Sequence, residues 1–421
     1  MHSSLALLSK RRFLPLFATQ FLGAFNDNLF KTAMVMLVTY AIYSDPAREA
    51  TFSAIAAALF ILPFFLLSAL AGQLADWRDK AKLIRVVKTA EVVIMIAGAA
   101  GLLLSSIPLM LLALFAMGVH STFFGPIKYA ILPQHLREPE VLGGTGLVEA
   151  GTYIAILGGT IVGGLIHPEA AAAAVLGVAL IGRITGQQVP DAPPVVASEK
   201  IDFHILRSSY RLIAATMHVT RLFRAIVAIS FFWGMGAVLA AQFPPLVKNV
   251  LFADQTVATL FLAIFSVGVA IGSLAINRLL KGRVSARYAP WAALGMGAFL
   301  CDFYFALKGW TPLGEGLIGF REFVVRGDAE RVMFDLLGVA FCGGMFVVPL
   351  YAFLTTTVDK SATARTVAAN NIVNSGAMVT GTLLVVALMA AGLSVAETVL
   401  VVAAASIPAA VFAWRLHRAC S

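Results

Sequence analysis

Charge is scarce in this chain, cysteine is nearly absent, and the loops that hold nucleotides or metals are missing. Only 13% of its 421 residues are Asp, Glu, Lys or Arg, about half the usual share of a soluble domain. So little charge excludes a water-soluble globule and leaves an integral membrane protein with little soluble mass. The three cysteines, Cys301, Cys342 and Cys420, have neither metal-ligand nor disulfide spacing, so no metal centre is expected. There is no Gly-Lys-Ser/Thr phosphate loop, which excludes ATP hydrolysis of the P-loop kind. None of the seven histidines is followed five positions later by Asp, as an acyltransferase His-x-x-x-x-Asp pair requires. No enzyme activity and no cofactor are expected. A signal peptide is not expected either: the first apolar run is too long, and no cleavage site separates it from the body.

What the chain has is hydrophobic length. It is 60% hydrophobic, with a mean hydropathy of +0.88. A membrane helix needs about 20 apolar residues, and there are twelve candidate segments: 13–43, 52–75, 83–105, 107–127, 143–166, 170–184, 223–247, 256–280, 287–307, 332–355, 365–390 and 394–414. The sixth is the shortest and is rich in alanine. The expected fold is all-α and integral to the membrane. The net charge of +9 reads as topology and not as nucleic-acid binding. Lys10, Arg11 and Arg12 precede the first helix, and Arg78, Lys80, Lys82 and Arg85 follow the second. Arg278, Lys281, Arg283 and Arg287 follow the eighth, and Arg415 and Arg418 the last. The loop between the third and fourth helices has no basic residue. By the positive-inside rule both termini are cytoplasmic.

The middle of the chain changes character. Residues 187–200 carry Pro190, Pro193 and Pro194 and read as a linker. Ile205, Leu206, Ser209, Leu212, Ile213, Thr216 and Met217 then share one helical face, with Arg207, Arg211, His218 and Arg221 largely elsewhere. This predicts an amphipathic helix on the cytoplasmic membrane surface. The expected domains are a six-helix bundle over 1–186, a linker over 187–222 and a second six-helix bundle over 223–421. Short internal matches support two parallel repeats. Gly72-Gln73-Leu74-Ala75 recurs as Gly272-Ser273-Leu274-Ala275. Phe124-Gly125-Pro126-Ile127 is echoed by Val347-Val348-Pro349-Leu350, and Leu147-Val148-Glu149-Ala150-Gly151 by Ile372-Val373-Asn374-Ser375-Gly376.

The first helix carries Asn26, Asp27, Asn28 and Lys31 inside its apolar run. An acid near the bilayer midplane costs about 2.5–3.5 kcal/mol on insertion scales, so it needs a partner and marks a functional site by default. Lys31 lies one turn on, on the same face as Asp27, and a purely structural ion pair is the simplest alternative. Lys128 and Glu149 add charge in the fourth and fifth helices. Lys128 suits a phosphate as a point charge, a snorkelling position, or a pair with Glu149. The matching helices of the second half are mostly uncharged. Gln242, Asn370, Asn371 and Asn374 are its neutral polar candidates, each also suited to a helix-packing hydrogen bond. A polar first half and an apolar second half suit an amphiphile with a charged head and a fatty tail. Gly158-Gly159-Thr160-Ile161-Val162-Gly163-Gly164 reads as tight helix packing and a hinge, not as a ligand loop. The segment 308–331 carries Trp310, Pro312, Arg321, Arg326 and Arg331. On this topology it is periplasmic, a plain surface loop or one whose arginines attract anionic lipid heads.

Gly72-Gln73-Leu74-Ala75-Asp76-Trp77-Arg78-Asp79-Lys80 resembles the loop 2–3 signature of the major facilitator superfamily. There the glycine allows close packing, Asp76 caps a helix end or pairs across the half-to-half interface, and Arg78 and Lys80 hold the loop in the cytoplasm. In the second copy Ile276 replaces Asp76. The polar stretch of helix 1 resembles the bacterial lysophospholipid transporter family within that superfamily. So do Phe124-Gly125-Pro126-Ile127-Lys128-Tyr129-Ala130-Ile131-Leu132, Gly146-Leu147-Val148-Glu149-Ala150, Phe231-Phe232-Trp233-Gly234 and Phe346-Val347-Val348-Pro349-Leu350. The resemblance implies twelve helices in two pseudo-symmetric halves working by alternating access. It implies movement of lysophosphatidylethanolamine-type lipids from the outer to the inner leaflet of the bacterial inner membrane, for reacylation. It also implies that Asp27, Lys128 and Glu149 belong to the head-group site, with Asn28, Lys31, Gln242, Asn370 and Asn374 as further candidates. Stand-alone family members carry a basic residue after the Phe-Trp-Gly stretch, where this chain has Ala240. Helix 7 is closer to the transporter domain that some bacteria fuse to an acyltransferase and acyl-ACP synthetase. That names such a cytoplasmic enzyme as an expected partner, beside membrane lipids and a monomeric state. The competing expectation is a proton-coupled exporter of drugs or another hydrophobic solute, with Asp27 as proton carrier.

Overall fold

The computed structural model describes residues 4–193, 203–280, 285–312, 316–356 and 360–420. Part of the expected linker, and Lys281 and Arg283 of the basic loop, lie outside the described residues. The described residues form fifteen α-helices: α1 (Leu14–Leu37), α2 (Pro46–Trp77), α3 (Lys80–Leu103), α4 (Ile107–Ala130), α5 (Leu132–His135), α6 (Glu138–Leu165), α7 (Pro168–Gln187), α8 (Ile205–Met217), α9 (Thr220–Asn249), α10 (Gln255–Leu279), α11 (Ala289–Lys308), α12 (Phe320–Val324), α13 (Gly327–Thr356), α14 (Lys360–Ala390) and α15 (Val395–Cys420). Twelve of them are at least 20 residues long, matching the twelve expected segments in order. Ten helices among the described residues are long and apolar enough to cross a membrane. α1 is not one of them, because Asn26, Asp27, Asn28 and Lys31 dilute its run.

Apolar side chains face outward and polar ones inward, as a lipid solvent requires. On α3, Val86, Val93, Ile96 and Leu103 are exposed, while Ile84, Lys88, Glu91, Met95 and Leu102 are buried on the opposite face. α1 continues past Leu37 as a short π-helical turn, Val38–Ile42, before α2 begins. The α3–α4 turn passes through Ser105 at φ +50° and the α14–α15 turn through Gly392 at φ +105°.

The chain divides into two compact units, Met1–Leu37 with Leu66–Ser208, and Val38–Phe65 with Ser209–Ser421. In the first unit α1 packs on α6 and α7, α3 on α7 and α4, and α1 on α4. The second unit repeats these pairings in the same order: α9 on α14 and α15, α11 on α15 and α13, α9 on α13. The internal repeat is therefore structural.

Glycine sets the closest crossing. A Cβ at Gly159 would sit 2.3 Å from the Phe25 carbonyl oxygen, and one at Gly163 2.5 Å from that of Leu29. Only glycine lets α6 lie that close to the backbone of α1, so the glycine run is a packing device, as expected. The loop-motif glycines behave differently. A Cβ at Gly272 would meet the Phe341 carbonyl oxygen at 2.0 Å, whereas one at Gly72 would meet nothing within 4 Å. Close packing thus explains the second copy and not the first.

Within the second unit, Val38–Phe65 is tied to α9. Glu49 is fully buried and accepts hydrogen bonds from Lys248 Nζ and Asn249 Nδ2, both at 2.6 Å. Lys248 also donates to the carbonyls of Thr39 and Tyr43, and Gln242 Nε2 donates to the Ala50 carbonyl at 3.3 Å.

α8 forms where the amphipathic pattern predicts it. Ser209 and Thr216 are its buried residues, while Leu206 and Tyr210 are exposed. The segment 308–331 is not a plain loop. Trp310 is buried, donates to the Leu251 carbonyl at 2.9 Å and lies under the Arg326 guanidinium at 3.9 Å. Ala253 and Ile318 form a parallel bridge. Arg326 pairs with Asp328, and Arg331 with Asp302. Two of the three arginines expected to attract lipid heads are therefore held by neighbouring acids.

Candidate functional site

The polar run of α1 points its side chains at two neighbours. Asp27 faces α4, where Ser121 Oγ donates to its Oδ2. Its other oxygen, Oδ1, is enclosed and has no hydrogen-bond partner. Asn26 turns to α3 and donates from Nδ2 to Glu91 Oε1 at 3.0 Å. Asn28 donates to the Ala24 carbonyl at 2.8 Å and accepts from Lys31 Nζ at 3.2 Å. The sequence reading places these residues in one cluster around Asp27, and the structure splits them between two helices.

Asn26 leads to a charged group that the sequence reading passed over. Lys88 Nζ donates to Glu91 Oε2, and His120 Nε2 of α4 lies 3.2 Å from the same oxygen. Lys88 and Glu91 are completely buried and His120 nearly so. The site exists because small residues make room for a lysine. Cβ atoms at Gly182 and Gly186 of α7 would press on the Lys88 stem at 2.9 and 3.2 Å, and one at Gly23 of α1 would lie 3.3 Å from Nζ. The small residues of α7, the shortest of the twelve expected segments, are what admit the side chain. His120 stacks on Phe124 with ring planes 3° apart. The available signal was two charges three residues apart inside an apolar run, in phase with buried Ile84 and Met95. Their partner lies about 30 residues on and is invisible to periodicity.

Lys128 belongs to a second polar chain. It donates to Thr152 Oγ1 at 3.4 Å, and Thr152 donates to Gln20 Oε1 at 2.8 Å. It sits seven residues, about 10 Å along the helix axis, from the Ser121 that contacts Asp27. Glu149 lies on α6, but its side chain is outside the described residues. So is that of Asp76; the cap of α3 is instead Asp79, which accepts the Ala81 and Lys82 backbone N–H groups. Lys80 is buried and its N–H donates to the Ala192 carbonyl, while Arg78 is exposed.

In the second unit, Asn370 and Asn374 of α14 meet on one hydroxyl. Both Nδ2 groups donate to Tyr351 Oη of α13, at 3.2 and 3.1 Å, and Trp233 Nε1 of α9 donates to it at 3.0 Å. Ser230 Oγ donates to Asn374 Oδ1 at 2.8 Å. Asn370 Oδ1 is buried and has no hydrogen-bond partner. Gln242 is not in this group; it belongs to the Ala50 contact described above. Tyr351 and Trp233 were not anticipated, because aromatic residues on apolar helices read as core.

Chemically, the first unit offers buried charges of both signs, and the second, apart from the buried Glu49–Lys248 pair, a neutral amide, phenol and indole group. Among the described residues no group of three or more His, Cys, Asp or Glu side chains could hold a metal. This division suits binding and translocation of a polar group through an apolar protein.

Comparison with known proteins agrees. The model of the Major Facilitator Superfamily matches residues 16–382. A protein of Serratia proteamaculans (strain 568) named Lysophospholipid transporter LplT is 27% identical over 379 residues, covering 88% of this chain and 87% of the relative. Its namesake in Salmonella newport (strain SL254) is 26% identical, covering 87% and 85%. Among solved structures, a bacterial homologue of the human lysosomal transporter Spinster superposes with TM-score 0.69 at 13% identity, covering 97% of both chains. A POT family transporter in complex with 5-aminolevulinic acid gives 0.71 at 11% identity, covering 96% of both.

Proposed function

We propose that this chain, which belongs to the Major Facilitator Superfamily, is a lysophospholipid transporter. The observation that carries this reading is the similarity to relatives named lysophospholipid transporters along nearly the whole length of both proteins. In this reading a zwitterionic head passes the polar residues of α1 and α4. Asp27, with one enclosed and unpartnered oxygen, receives the ammonium, and Lys31 and Lys128 are the cations for the phosphate. Asn28, Glu149, Gln242, Asn370 and Asn374 complete the set of polar residues along the head-group path, with Gly72, Asp76, Arg78 and Lys80 as the conformational loop motif. The acyl chain stays on apolar helix surface or in lipid, so its burial changes little during transport.

The same reading places the protein as a monomer in the bacterial inner membrane with both termini cytoplasmic. It works by alternating access of helix bundles 1–186 and 223–421 joined by 187–222. Lysophosphatidylethanolamine-type lipids move from the outer to the inner leaflet, where an acyltransferase/acyl-ACP synthetase is the partner that consumes them.

One observation favours a second reading, a proton-coupled exporter of a hydrophobic solute: the buried contact of Glu91 with His120 has the chemistry of a proton carrier. Uptake of labelled lysophosphatidylethanolamine into proteoliposomes, with and without an uncoupler, separates the two. The first reading expects uptake that survives the uncoupler. No lysolipid uptake, together with gradient-dependent export of a dye, would establish the second.

A further inference from the structure

Two acids of the first unit, Asp27 of α1 and Glu91 of α3, are joined through α4, and the lysophospholipid reading makes no use of the link. His120 sits between them. Its Nε2 faces Glu91 Oε2 at 3.2 Å, and its Nδ1 lies 3.4 Å from Ser121 Oγ. Ser121 in turn donates to Asp27 Oδ2. One imidazole and one hydroxyl thus connect the carboxyls in a line, Asp27–Ser121–His120–Glu91.

The two acids differ in need. Glu91 Oε2 accepts from Lys88 Nζ and Oε1 from the Asn26 amide, so its charge is balanced and both oxygens are filled. No hydrogen bond completes the enclosed His120 Nε2; its contact with Glu91 is one of charge. Asp27 has a single hydroxyl on Oδ2, and Oδ1 is enclosed with no partner. A buried carboxylate so poorly bonded is costly when no cation faces it. A proton on this line therefore serves Asp27 and not Glu91. The other charged or titratable groups on the helices packed against α4 do not interrupt the line. Lys31 of α1 donates to Asn28 Oδ1 at 3.2 Å, and His135 of α5 turns to the Asp191 carbonyl. On α7, which packs behind α3, Arg183 donates to Thr89.

We propose that His120 keeps the proton of Asp27 inside the protein while a substrate ammonium is bound, an inference that rests on the lysophospholipid reading. In the empty protein the proton is on Asp27 Oδ2, and His120 is neutral with its N–H on Nε2. When the ammonium reaches Asp27, the proton passes from Oδ2 to Ser121 Oγ, and the Ser121 hydroxyl proton passes to His120 Nδ1. The imidazolium then rests against Glu91. Release of the ammonium runs the two steps backwards. No proton is exchanged with water, and the empty carrier never holds Asp27 as a bare anion. Transport that survives an uncoupler is a consequence.

The test is the affinity of the purified full chain in detergent for lysophosphatidylethanolamine, measured by calorimetry from about pH 6 to about pH 8. Wild-type affinity should stay within about twofold, because binding does not change the number of protons held. His120→Phe keeps a ring to stack on Phe124 and removes the proton store. Ser121→Ala keeps the imidazole and cuts the link, and it carries the test if the ring substitution does not fold. In either variant, binding must expel the Asp27 proton to water, so affinity should rise ~10-fold per pH unit. A purely structural role for His120 would lower affinity equally at every pH. A wild-type affinity that climbs with pH, or a folded Ser121→Ala protein as flat as the wild type, would overturn the proposal and leave the lysophospholipid reading standing. No binding to the wild type at any pH would overturn that reading, and this proposal with it.

Discussion

Replacing Lys88 by Met tests whether the buried group of the first unit is held together by charge. Methionine matches the lysine stem and fits the slot between Gly23, Gly182 and Gly186, so packing is conserved. What disappears is the cation on Glu91. Removing one partner of a buried pair costs about 3–5 kcal/mol, because the other charge is left uncompensated. Here His120 at 3.2 Å and the Asn26 amide at 3.0 Å remain on the same carboxylate, which argues for the lower end, about 3 kcal/mol. Adding Glu91→Gln removes the stranded charge while keeping an oxygen for Asn26. The double variant should lie within about 1 kcal/mol of wild type, giving a coupling of 2 kcal/mol or more (~) between the two sites. Thermal unfolding of the four proteins in one detergent, followed by tryptophan fluorescence, gives the cycle. A large drop in midpoint for Lys88→Met and recovery in the double variant is the expected pattern. Strictly additive shifts would refute the reasoning, since the two residues would then contribute independently.

Two further outcomes follow from the first unit. Gly163→Ala places a methyl group against the Leu29 carbonyl oxygen at 2.5 Å, so α1 and α6 must separate; a loss of about 1–3 kcal/mol should appear as a lower melting midpoint, whereas Gly72→Ala, which meets nothing within 4 Å, should leave it unchanged. Glu140 accepts the Arg137 backbone N–H and is gripped by Arg12, and both hold its carboxyl below the ordinary range; because the folded-state value is depressed, this contribution is present above the unfolded pKa of about 4.3 and is lost as pH falls through the folded value, so wild type and Glu140→Gln should differ at pH 7 and converge at acid pH.

Helix number and order were legible because most spans are apolar runs long enough to cross a bilayer, and that property is local. The polar run of α1 was legible for the same reason: Asp27 is conspicuous against its own helix. The group around Glu91 was not. Lys88 and Glu91 belong to α3, His120 to α4 and the three admitting glycines to α1 and α7, so only the packed structure shows that they are one site. Asp79 and Asp76 illustrate a finer limit. Asp79, three residues beyond Asp76 in the same motif, is the acid that caps α3, and the motif alone does not single it out. In the segment 308–331 the packing of the arginines is set partly by a fold-back: Arg326, paired locally with Asp328, also covers Trp310 across sixteen residues, and Arg331 reaches Asp302 on α11.

The central claim, that a lysophospholipid head passes the polar centre of α1, is tested most directly by initial rates of labelled lysophosphatidylethanolamine uptake into proteoliposomes holding wild type or Asp27→Asn. The Asn keeps the shape and can still bond Ser121, so folding should be unaffected while the anion for the ammonium is gone. The account predicts robust wild-type uptake and a loss of tenfold or more (~) in the variant, as expected for one charge-assisted contact. Wild-type uptake that Asp27→Asn leaves intact would contradict the account and move the head-group path away from α1.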